Sequence, residues 1–83
     1  MSDSVFKIEC GPLSSVVVEM IGSAANVLVV DWNNLQNYRR GGTVRHLGGF
    51  YKQSPAVFRP GAGDWYVIVN STGRTRASVS VRG

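Results

Sequence analysis

Residues 64–70 read D-W-Y-V-I-V-N and residues 76–82 read R-A-S-V-S-V-R. In the first run Trp65, Val67 and Val69 fall on one side of an extended chain. In the second, Ala77, Val79 and Val81 alternate with Arg76, Ser78, Ser80 and Arg82. Successive side chains of a strand point to opposite faces, so a two-residue period marks strands that turn one face to a core. Ser71-Thr72-Gly73, between the two runs, supplies the turn residues that join them.

The same period extends outward through the chain. V-F-K-I-E-C at residues 5–10 sets Phe6, Ile8 and Cys10 against Lys7 and Glu9, and Gly11-Pro12 ends that strand. V-V-V-E-M-I at 16–21 gathers Val16, Val18 and Met20, and Gly22-Ser23 breaks the run. A third strand is expected over Asn26–Trp32. Its V-L-V-V centre is apolar on both faces, which asks for a central position or a covering partner. V-R-H-L-G-G-F-Y and A-V-F-R, in the irregular stretch that follows, read as further short strands, while helical signals are scarce. These readings give one all-β domain over residues 1–83. It is a compact antiparallel β-sandwich or partly open barrel of six to eight short strands, with no internal repeat or linker.

With 83 residues the chain buries only a small core, so a ligand site has to be a surface groove or a subunit interface, and a homo-oligomer is expected. A composition of 43% hydrophobic and 17% charged residues excludes a disordered basic tail. No apolar run is long enough to span a bilayer and the N-terminus lacks a signal-peptide pattern, so no membrane partner and a cytoplasmic location are expected. Cys10 is the only cysteine and His46 the only histidine, which argues against an intramolecular disulfide or a metal site; nothing calls for a cofactor. At the end of an apolar alternation, Cys10 reads as a buried structural residue.

Charge is localised. Residues 1–31 hold four acids against Lys7, whereas Trp32 to Gly63 hold no acid and carry Arg39, Arg40, Arg45, Lys52 and Arg59. A confined field of one sign attracts anions. In N-N-L-Q-N-Y-R-R-G-G at 33–42 the arginines offer planar forks for phosphate, Tyr38 a stacking face, and Asn34 and Asn37 amides for a base or sugar. Gly41 and Gly42 offer backbone N–H groups for an anion-binding nest, although the spacing matches no Walker or Rossmann fingerprint. Arg45, His46, Gly48 and Gly49 form a second candidate loop. Catalysis by His46 needs a partner acid, which the segment lacks; Asp31 and Asp64 flank it. Trp65 is expected in the core, Trp32 stands beside the loops, and Arg74, Arg76 and Arg82 extend the basic surface or guard an edge strand.

With these residues in view, the chain resembles the DUF1883 family, a small bacterial domain of unknown function. The resemblance rests on G-S-A-A-N-V at 22–27, Asp31, N-x-x-N-Y-R-R-G from Asn34 to Gly41, Gly48-Gly49, Ser54-Pro55, G-D-W-Y-V-I-V at 63–69, and the C-terminal R-A-S-V-S-V. Between the Gly-Gly and Ser-Pro pairs this chain has F-Y-K-Q, where the family usually shows a stretch containing His and Arg. The resemblance implies a β-sandwich and no established activity. It also implies a link to TIR domains, beside which some members resemble accessory domains, and which hydrolyse or cyclise NAD in bacterial immunity.

The expected function is therefore a non-catalytic module for an anionic, phosphorylated nucleotide-like small molecule. Its expected ligand-binding residues are Asn34, Asn37, Tyr38, Arg39, Arg40, Gly41, Arg45, His46, Gly48 and Gly49. The alternatives are a nucleic-acid binder, distinguished by a steep salt dependence, and a protein- or carbohydrate-interaction sandwich using Trp32.

Overall fold

The computed structural model describes residues 2–22, 24–52, 54–71 and 75–83. Ser23, Thr72, Gly73 and Arg74, which enter the turns and the basic surface expected above, lie outside the described residues, as does Gln53.

Seven strands and one helix follow in the order β1 (Ser2–Cys10), β2 (Ser15–Gly22), β3 (Ala25–Val30), α1 (Trp32–Arg40), β4 (Leu47–Tyr51), β5 (Ala56–Phe58), β6 (Gly63–Ser71) and β7 (Thr75–Arg82). They form two antiparallel sheets, one ordered β1-β6-β3-β4 and the other β5-β2-β7. The fold is thus a sandwich. The alternating residues meet between the sheets as expected: Val27, Val29, Val67 and Val69 pack with Val16, Val18, Ala56 and Phe58, with Trp65, Ala77 and Val79 against them. Each fully buried valine contributes roughly 1.5–3 kcal/mol, so this layer dominates stability. Cys10 is buried in it, and loss of water around the sulfur pushes its thiol pKa up.

The β3 segment, apolar on both faces, is both central and covered. It lies between β6 and β4, and α1 packs on the outer face of its sheet. The strand ends at Val30, two residues short of the expected boundary, because Asp31 caps a helix and Trp32 is that helix's first residue. The first part of the irregular stretch, residues 33–40, is therefore helical. The two stretches read as short strands do form β4 and β5, leaving Arg45 and His46 just ahead of β4. Among the described residues no helix is long and apolar enough to cross a membrane.

Candidate functional site

The nine residues of α1 fall below the roughly 12–15 an isolated helix needs, so caps and packing must hold it. Leu35, 1% exposed, inserts against Val30 and Ile68, with Tyr38 and Val44 beside it. At the N-terminus the Asp31 carboxylate accepts from the Asn34 N–H at 2.8 Å and from Asn34 Nδ2 at 3.0 Å. The other end of that amide is also engaged: Asn34 Oδ1 accepts the Arg45 N–H at 2.9 Å. Asn34 is thus a brace between the helix cap and the segment entering β4, and it sets where Arg45 and His46 stand.

At the C-terminus Gly41 adopts φ 76° and donates its N–H to Tyr38 O at 3.1 Å, while Gly42 donates to Asn37 O at 2.8 Å. This is a Schellman closure. The two N–H groups expected to form an anion nest are taken up by the helix's own carbonyls, so Gly41 and Gly42 offer no nest here. Arg39 and Arg40 are exposed on the last turn, about 100° apart around the axis. There they complement the partial negative charge of the helix end, a setting that disfavours an anion. Asn37 is half-buried.

Two open grooves flank the Arg45–His46 segment. The end groove, about 330 Å³, is lined by Asp31 and Asn34, by Arg45, His46 and Leu47, and by Val29, Pro60 and Trp65. The face groove, about 320 Å³, lies on the outer face of the four-stranded sheet between Tyr38, His46, Gly49 and the strand residues Asn26, Leu28 and Asn70. Each is at the lower end of the roughly 300–1,000 Å³ that small-molecule sites occupy. His46 lines both. Among the described residues Arg45 is the sole Arg or Lys lining either, and the one carboxylate, Asp31, is engaged in the helix cap. The His46 Nδ1 lies 3.3 Å from Leu47 O. A carbonyl only accepts, so the tautomer that bonds Leu47 O carries a proton on Nδ1 and presents Nε2 as an acceptor.

Of the residues expected to bind, Asn34, Tyr38, Arg45, His46 and Gly49 come together around these grooves, whereas Asn37, Arg39, Arg40, Gly41 and Gly48 do not line them. Gly48 has a packing role. Its φ is 93°, and a Cβ there would collide with the Val27 carbonyl and press on the Phe58 ring at 3.1 Å. Gly49 is its opposite, with nothing within 4 Å of an added Cβ. Asp64 is exposed and lines neither groove, so it does not serve His46. Trp65 packs against the core and donates Nε1–H to Gly61 O at 3.0 Å. Trp32, 55% exposed, leans on Tyr66 at a ring-centroid distance of 5.7 Å. Sequence reading missed Asn26 and Asn70, although an amide inside each of two valine-rich strands was a signal; they are direct partners in the β3–β6 register.

The architecture defines the class as a two-sheet antiparallel sandwich with one helix over the outer face of the larger sheet. The family described as a domain of unknown function, DUF1883, matches residues 6–83, and the chain belongs to it. No curated protein and no solved structure matches.

Proposed function

We propose that this chain is a non-catalytic binding module for a phosphorylated nucleotide-like small molecule, held across the two grooves that share His46. The observation that carries this reading is the convergence of Tyr38 from α1 with Arg45, His46 and Gly49 from the stretch entering β4 on adjoining grooves whose only Arg or Lys among the described residues is Arg45. In it Arg45 binds phosphate, His46 Nε2 accepts from a ribose hydroxyl, and the base lies in the uncharged face groove. Arg59, which precedes groove-lining Pro60, adds to the field. The helix-capping role of Asp31 supports a module without catalysis, since it leaves His46 no free carboxylate partner in either groove.

The TIR association implied by the family resemblance points to an NAD-derived immune signal in bacterial antiphage defence. The module senses that signal or, in a phage-encoded copy, sequesters it. A cytoplasmic homo-oligomer belongs to the same reading: the domain is small and exposes Phe50, Ile21 and Leu13. Light scattering after gel filtration reads its mass.

The test is thermal shift and calorimetry with NAD, ADP-ribose, cyclic ADP-ribose isomers, cyclic dinucleotides and a short oligonucleotide at two salt concentrations. A ligand of the folded state at a hundredfold excess over Kd stabilises by about 2.7 kcal/mol. The expected result is a salt-tolerant shift with one nucleotide that is lost in Arg45→Ala. A response to oligonucleotide alone, falling steeply with salt, overturns the reading in favour of nucleic-acid binding.

A further inference from the structure

Among the described residues the face groove is lined by no Arg, Lys, Asp or Glu, and Leu28 and Tyr38 give it apolar surface, so it suits a planar heterocycle better than a phosphate. Asn26 is exposed on this face of β3. Directly opposite it on β4 stands Phe50, 60% exposed, where an apolar ring gains nothing from water. Next to Phe50 on β4, Gly49 also lines the groove, and nothing lies within 4 Å of a Cβ added there.

A carboxamide presents one donor and one acceptor side by side, which matches the N6 amino group and N7 of adenine. On the same edge guanine offers O6 and N7, which both accept, so a carboxamide bonds only one of them there. From this we infer that the face groove is an adenine site, with Asn26 bonding N6 and N7 and Phe50 providing stacking surface at the rim. The inference rests on the proposed nucleotide-binding function and narrows it to adenine-bearing ligands.

The experiment is calorimetric titration of the full chain with AMP, GMP, CMP and UMP, for the native protein and for Asn26→Ala, Asn26→Asp and Phe50→Ala. AMP is expected to bind more tightly than the others by roughly 5- to 150-fold, the discrimination a bidentate pair supplies. Asn26→Ala erases that preference. Asn26→Asp, an acceptor only, keeps the bond from N6 but repels N7, so the AMP preference shrinks. Phe50→Ala weakens all four by roughly 5- to 150-fold without changing their order, as loss of stacking does. Asn26 and Phe50 are exposed, so unchanged melting temperatures separate these effects from misfolding. Binding of all four nucleotides with equal affinity, or an AMP preference that survives Asn26→Ala, overturns the adenine site while the nucleotide reading stands. Failure of every nucleotide to bind overturns both.

Discussion

The four-stranded sheet covers its inner face with a second sheet and its outer face with a single nine-residue helix. Inside, Val27, Val29, Val67 and Val69 pack with Val16, Val18, Ala56 and Phe58 of the second sheet. Outside, α1 spans only about 13 Å and seals Val30 and Ile68 under Leu35. Leu28, Asn26 and Asn70 are left at its margin, where they line the face groove. A narrow cover on a wide sheet makes a groove without any dedicated cavity, and the two faces should respond to mutation in opposite ways.

The adjacent glycines of β4 give the largest contrast. Gly48→Val adds a positive-φ penalty to an overpacked core and is expected to cost roughly 2–5 kcal/mol in urea unfolding. Gly49→Val meets nothing within 4 Å, so it should keep the native midpoint. If both variants fold equally well, the distinction between packed face and open face fails. Next comes Leu35→Ala, which removes the main anchor of α1 and should cost about 2 kcal/mol, near the lower end for buried leucines because a surface helix can settle. Its signature is faster hydrogen exchange along α1 while the sheet amides stay protected.

Smaller still is Asp31→Ala, expected to cost about 1 kcal/mol for the lost N-cap. It also releases the Asn34 amide from one side, so His46 should broaden in NMR spectra. The least effect is assigned to Arg39→Ala with Arg40→Ala. Stability should fall by about 0.3–1 kcal/mol per arginine through the helix dipole, and ligand affinity should stay within a few-fold of native. A large loss of affinity would return those arginines to the site.

Sequence alone made the inner face legible because alternation of valine with polar residues reports which side is buried. It left the outer face unread for two reasons. The first is that α1 has too few apolar positions to show a helical period: Leu35 is its only buried residue. Its start and stop signals are present, with Asp31 before and Gly41-Gly42 after, but Asp31 reads as a flanking acid and Arg39, Arg40 and Gly41 as parts of a binding loop. The second is that alternation does not say how wide the cover over a face will be. Tyr38, Arg45, His46 and Gly49 were therefore identified as chemistry-bearing residues, while the strand amides that complete the groove were not.

The Asn34 brace has a practical consequence. With Val44 seated against the Leu35 cluster and the Arg45 N–H held from the helix, the position of the groove does not depend on the chain between Gly42 and Thr43. Thr43 is exposed there. A cysteine at that position would carry a fluorescent dye near the grooves, and burial keeps the thiol of Cys10 from competing for the label. The domain thus comes with a built-in attachment point for a biosensor.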